Sequence, residues 1–257
     1  MILQRDIVAA IHALGARPGD TLLCHSSYKS FGDDVEEGPD GVCRALIAAA
    51  GPAGSIFVPT FNFAQLPWKP GETASLTGVI TDRFWRLPGV LRSLHPTHPV
   101  AGIGPLAPEV LEGHDRVHPF GVDSPIWRLW KRNTWVLLLG VEHSSNSTVH
   151  VGEEENRLPY VPRARVQRVW DGGTWRDVTL RRPGDSNGFV KVGPVLERMG
   201  VVREGFVGRS RFRLMRSDDI MRAVGSMVRD DPAALLCDDP ACDRCAEARR
   251  MIAEARV

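Results

Sequence analysis

Trp135-Val136-Leu137-Leu138-Leu139-Gly140 is an apolar run without a polar interruption. Too short for a buried helix and closed by glycine, it reads as a strand covered on both faces. Such a strand needs helices packed above and below its sheet. The residues before it repeat the theme. Ile7, Val8, Ile11 and Leu14 share one face of a helix over 3–14, which Gly15 ends. Residues 21–25 form a short apolar strand, Pro39 suits the first turn of a helix over 40–50, and 55–59 is the next strand. Helix, strand, helix, strand is the order of a layered sheet. The expected fold class is α/β, with one α/β/α domain over 1–257.

Further along, 61–78 contains Pro67, Pro70 and Gly71 and reads as a long loop, a kind of segment that usually carries function. A helical pattern over 79–87 stops at Pro88. Ser124-Pro125 combines an N-cap with a first-turn proline, and Ser147 is placed to cap a helix running through Glu155. Strands over 163–170 and 174–180 flank Asp171-Gly172-Gly173 as an added β-hairpin. A helix over 190–199, a strand over 208–215 and a helix over 217–228 complete the body. A short Cys-containing tail over 236–257 packs on it.

Composition excludes several function classes. Lys and Arg number 32 against 31 Asp and Glu, so a net charge of +1 gives no bulk field toward nucleic acid or an anionic membrane. No apolar run approaches the ~18 residues of a membrane helix, and the N-terminal helix lacks the basic leader and cleavage site of a secretory signal. Five cysteines, an odd number, fit a reducing cytoplasm better than a disulfide framework. Charge is nevertheless uneven: 157–222 holds 15 basic and 7 acidic side chains. That surplus leaves open a zinc-stabilised nucleic-acid binder, against which the near-zero net charge counts.

Four segments could carry chemistry. In His25-Ser26-Ser27-Tyr28-Lys29-Ser30, hydroxyls, backbone amides and a lysine at a strand end suit phosphate or pyrophosphate oxygens; an ordinary polar loop fits the same residues. In the helix after Ser147, His150 and Glu153 lie three residues apart on one face. A carboxylate there fixes the imidazole tautomer and raises its basicity, as a general base requires. Acids favoured by the helix dipole explain the same pattern. Arg92-Ser93-Leu94-His95-Pro96-Thr97-His98-Pro99 contains two His-Pro pairs that force an extended segment, either lining a cofactor channel or serving as a stiff connector. Cys237, Cys242 and Cys245 have zinc-ligand spacing but no local fourth ligand; free structural thiols are the other reading.

Read in order, HSSYKSFG at 25–32, EGPDGVCRALIAAAGPAGSIFVPTF at 37–61, GVITDRFWRLPGVLRSLHPTHPVAGIG at 78–104, PFGVDSPIWRL at 119–129 and WVLLLGVEHSSNSTVHVGEE at 135–154 resemble the aminoglycoside 3-N-acetyltransferase family. The stretch 78–96 most resembles the branch acting on apramycin and gentamicin-type substrates. The resemblance implies the antibiotic N-acetyltransferase fold and acetyl transfer from acetyl-CoA to the 3-amino group of a 2-deoxystreptamine ring. It places the catalytic histidine at His150, assisted by Glu153, with His25 near the thioester. His25, Ser26, Ser27, Tyr28, Lys29, Ser30, Thr60, Arg92, Ser93, His95 and Pro96 would border acetyl-CoA. Glu153, Glu154 and Asp185 would form an electronegative acceptor cleft. A biosynthetic aminophosphonate or amino sugar is the alternative acceptor. The expected protein is a cytoplasmic monomer or homodimer without nucleic-acid or membrane partners.

Overall fold

The computed structural model describes residues 1–161 and 163–255. The expected unit 1–257 also includes 162, 256 and 257, which lie outside the described residues. Among the described residues nine strands follow in chain order: β1 (Thr21–Ser26), β2 (Ser55–Pro59), β3 (Leu91–Arg92), β4 (Val100–Ile103), β5 (Trp135–Leu139), β6 (Arg163–Trp170), β7 (Trp175–Arg182), β8 (Arg203–Val207) and β9 (Ser210–Arg216). Interspersed with them are α1 (Gln4–Ala13), α2 (Gly38–Ala50), α3 (Val79–Phe84), α4 (Ala107–Leu111), α5 (Pro125–Lys131), α6 (Thr148–Glu155), α7 (Val192–Arg198), α8 (Ser217–Asp230) and α9 (Asp243–Glu254).

Seven strands form a mixed sheet in the order β3-β4-β2-β1-β5-β9-β8. β1 runs parallel to both β2 and β5, and the remaining pairs are antiparallel. The pleat sends Leu22, Cys24, Leu137 and Leu139 to one face, against Ile7 and Ile11 of α1, Leu46 of α2 and Phe84 of α3. Leu23, Val136 and Leu138 go to the other, against Ile126 of α5, Val149 of α6, Val224 of α8 and Ile252 of α9. Each large apolar side chain so buried contributes about 1.5–3 kcal/mol. This two-sided burial is why β5 is apolar at every position.

β6 and β7 stand apart as a hairpin whose turn is held by Asp171 Oδ1, accepting from the Gly173 and Thr174 amides at 3.0 and 2.9 Å. The expected loop over 61–78 is clipped to it. Trp68 N donates to Arg168 O at 2.7 Å, and Trp170 N returns a bond to Trp68 O at 2.8 Å. Gln167 Nε2 donates to Leu66 O at 2.8 Å.

Ser124 caps α5 as expected, its side chain accepting from Trp127 N. Ser147 does not cap α6. Its own backbone is already helical, whereas Asn146 is extended and its Oδ1 accepts from the Thr148 amide at 3.1 Å. The helix expected over 190–199 starts as a 3-10 turn, Asn187–Lys191, before α7.

Candidate active site

Parallel strands place their carboxyl ends side by side, and ligands bind in the crevice beyond them. Here His25 and Ser26 of β1 pair with Leu138 and Leu139 of β5. Just past these ends, and past Pro59 of β2, opens a cavity of about 860 Å³. Residues 25–29 form one wall and 144–147 with His150 another. Arg165, Arg182, Pro183 and Gly184 from the hairpin region, together with Arg244 of α9, close the far side.

His150 is positioned on three sides. Its Nδ1 lies 2.7 Å from Glu153 Oε2, one helical turn away. Phe120 stacks on the ring at 4.6 Å and 16°, and Phe189 meets it edge-on at 4.6 Å and 67°. With Nδ1 donating to the carboxylate, the lone pair sits on Nε2, the tautomer a base needs. Glu153 is 2% exposed and His150 9%, so water competes little for their bond. The Tyr160 hydroxyl nearby is kept protonated by burial first and the Glu153 charge second.

His25 is a different kind of histidine. Burial first, then the neighbouring His143, lowers its pKa to about 3, so the ring is neutral at any working pH. It offers a ring N–H without bringing a charge. His98, in the His-Pro segment but not singled out by sequence, also lines the cavity and packs on Phe61 and Phe120 at 4.8 and 5.4 Å. An aromatic chain thus runs from His98 through Phe120 to His150. Those residues are far apart in sequence, and only the fold joins them.

Several expected cofactor residues lie elsewhere. Ser26, Ser27, Tyr28 and Lys29 line the cavity, but Ser30 does not: its Oγ donates to Ser27 O at 2.6 Å and pairs with Ser210 Oγ at 2.7 Å. Thr60, Arg92, Ser93, His95 and Pro96 lie outside the cavity lining. Arg92 is spent on Thr60 Oγ1, Thr60 O and Thr73 O, between the rings of Trp68 and Trp85. Ser93 Oγ pairs with His114 Nδ1 at 2.8 Å. His95 Nδ1 accepts the amides of Thr97 and His98, and Pro96 O accepts from Asn62 Nδ2. Within the His-Pro segment, His98 lines the cavity, while Arg92, Ser93, His95 and Pro96 are held by the contacts just described.

The three acids expected at the acceptor cleft, Glu153, Glu154 and Asp185, lie outside the cavity lining. Each already has a cationic or titratable partner: His150 for Glu153, His118 at 2.9 Å for Glu154, and Arg244 at 2.6 Å for Asp185. Among the described lining residues the permanently charged side chains are Lys29, Arg165, Arg182 and Arg244, all cationic. Cations beside hydroxyls suit a polyanion, and a base oriented by a buried carboxylate suits deprotonation of a nucleophile.

At the end of the chain, Cys237, Cys242 and Cys245 come together with their sulfur atoms within 4.8 Å of one another. Cys24 and Cys43 are buried separately in the opposite layer.

Comparison with known proteins places this geometry. A family model described as aminoglycoside 3-N-acetyltransferase matches residues 23–229. Aminoglycoside N(3)-acetyltransferase IV of a Salmonella species is 36% identical over 233 residues, 88% of each chain. The crystal structure of a histidine-to-alanine mutant of aminoglycoside acetyltransferase AAC(3)-IVa in complex with a gentamicin superposes with a TM-score of 0.88, at 32% identity over 98% of each chain. The same mutant with apramycin gives 0.80, at 31% identity over 94% of this chain and 97% of that one.

Proposed function

The chain belongs to the aminoglycoside 3-N-acetyltransferase family, and on that premise we propose that it transfers the acetyl group of acetyl-CoA to the 3-amino group of a 2-deoxystreptamine aminoglycoside, with His150 as general base. The observation that carries this reading is the His150–Glu153 pair, buried yet facing the cavity at the carboxyl ends of β1 and β5. The relatives give no support to an aminophosphonate or amino-sugar acceptor.

An aminoglycoside amine is protonated at neutral pH and cannot attack until it loses a proton. That first proton leaves to solvent, and His150 Nε2 takes a second proton from the nitrogen as it bonds to the thioester carbonyl carbon. Glu153 holds the tautomer and stabilises the imidazolium, a contribution of about 10²–10⁴-fold for a positioned base. His25 donates its ring N–H toward the carbonyl oxygen as charge develops there, as a neutral imidazole can without an ionisation cost. The C–S bond then breaks, and His150 returns the proton to the departing thiolate. No covalent enzyme intermediate is needed, because holding amine and thioester together supplies much of the remaining acceleration.

Ser26, Ser27, Tyr28 and Lys29 bind acetyl-CoA, whose phosphates match the cationic lining. Cys237, Cys242 and Cys245 hold a structural zinc ion, whose chemistry is to cross-link the tail rather than to react. The chain works as one unit with its tail packed on the core, in the cytoplasm, as a monomer or homodimer; no described helix is long and apolar enough to cross a membrane. The deciding experiment follows thiol release from acetyl-CoA over apramycin, gentamicin, kanamycin and a control lacking 2-deoxystreptamine. Turnover confined to the first three supports the reading. Binding of acetyl-CoA with no release on any of them overturns the acceptor assignment.

A further inference from the structure

We infer that Asp185 is the fourth ligand of the tail metal, tying α9 to the cavity wall; this rests on the zinc reading of the three cysteines. Sequence reasoning treats Asp185 as a substrate acid. The fold turns it away from the cavity and toward the thiols. Its Oδ2 lies 3.8 Å from Cys242 Sγ, and the residue is 4% exposed.

One distance suits a shared ion, that of Asp185 Oδ2 from Cys242 Sγ at 3.8 Å. At ordinary Zn–S and Zn–O lengths, a tetrahedral centre separates sulfur from sulfur by about 3.8 Å and sulfur from oxygen by about 3.5 Å. Cys237 and Cys245 are 3.3 Å apart, far beyond the ~2.05 Å of a disulfide. The Cys237 amide also points at Cys245 Sγ from 3.4 Å. Among the described residues no histidine, fourth cysteine or carboxylate lies within 4.8 Å of all three sulfur atoms, and Asp185 is the buried acid that reaches one of them, Cys242. Asp238, the neighbouring acid, is exposed and bound to Lys191 at 2.7 Å.

Two further observations tie this corner to the cavity. The segment after Asp185 touches the cysteine loop backbone to backbone: a Cβ on Gly188 would lie 2.3 Å from Leu235 O and 2.5 Å from Cys237 N. Arg244, next to Cys245, pairs with Asp185 at 2.6 Å and also lines the cavity. Three thiolates and a carboxylate exceed the charge of one divalent ion by two, and the guanidinium offsets part of that excess. Outer partners of this kind orient metal ligands. The ion therefore braces residues 182–186 from behind.

The test uses the full-length protein. Metal analysis is expected to find about one zinc per chain, and cobalt substitution a tetrahedral ligand-field spectrum with thiolate charge transfer. Asp185→Asn should weaken metal affinity about 10–100-fold and alter the ligand-field bands while the thiolate charge transfer persists. Asp185→Cys should bind metal tightly with added charge-transfer intensity, which keeps the test valid if the Asn variant folds poorly. Chelation should raise amide hydrogen exchange over 182–188 as well as 237–254. A wild-type protein with neither zinc nor a cobalt spectrum would refute the zinc reading itself. Unchanged affinity and spectrum in Asp185→Asn, with zinc bound in the wild type, overturn the Asp185 assignment alone.

Discussion

Phe120 lies flat on the His150 imidazole, its centroid 4.6 Å away and its plane only 16° off parallel. With Phe189 at the edge and Glu153 on Nδ1, the ring has one orientation left. A general base whose rotation is blocked holds its lone pair toward substrate through every turnover. The cost of that order is met once, on folding, through buried aromatic packing.

His150→Ala should therefore abolish acetyl transfer, with kcat down by about 10²–10⁴-fold, while acetyl-CoA still binds. Calorimetry of cofactor binding beside steady-state rates separates the two effects. Retained turnover would remove His150 from the mechanism.

Glu153→Gln keeps the shape of the partner and removes its charge. The amide can donate to Nδ1 and so favour the wrong tautomer, an effect that costs catalysis far more than fold. We expect kcat to fall about 100-fold or more with little change in the KM for acetyl-CoA, as read from initial rates.

Phe120→Leu tests the stack. Phe120 is 1% exposed, and loss of part of its ring leaves a cavity and a freer imidazole. Thermal unfolding should report a loss of about 1–3 kcal/mol. kcat should also fall at a temperature where the variant is fully folded. An unchanged kcat would mean that Glu153 alone positions the base.

Lys29→Ala should raise the KM for acetyl-CoA about five- to tenfold, with kcat nearly unaltered. The wild-type KM should itself rise with ionic strength, because exposed charges are screened. A salt-independent KM would argue that the loop grips the cofactor by hydroxyls and amides only.

Buried neutral histidines set the acid limit of the fold. His25 and His95 are lowered to about 3 and His143 to about 4, chiefly by burial, and His98 and His114 are also lowered. Their folded pKa values lie below the unfolded value near 6.5, so below that pH the unfolded chain binds more protons than the folded one. Stability is then full above about pH 6.5 and falls as pH drops toward 3–4. Thermal melts between pH 7.5 and 4.5 should show a steep decline in Tm, shallower in His143→Gln.

Much of the fold is legible in the sequence because its pattern is local. The apolar run of β5, the helical face of α1 and the Asp171–Gly173 turn each announce themselves within a few residues. α9 is absent from the expected elements, yet Cys245, Ala248 and Ile252 mark its buried face at helical spacing. Within the site, His150 and Glu153 can be paired from sequence because one helical turn separates them. Phe120 and Phe189 cannot, since tertiary packing alone brings them to the ring. The partners of the acids are hidden for the same reason. Nothing near Glu154 or Asp185 in sequence reveals that His118 and Arg244 have already claimed them.

The backbone clip at Trp68 has an evolutionary corollary. Two hydrogen bonds make the loop 61–78 an extra rung on the β6–β7 hairpin, and both elements supply cavity wall. A register slip or insertion in the hairpin is inherited by the loop, so the two walls cannot drift independently. New acceptor preferences in this lineage should arise by paired changes in the two segments, and a hairpin transplanted from a relative should work only when its loop travels with it.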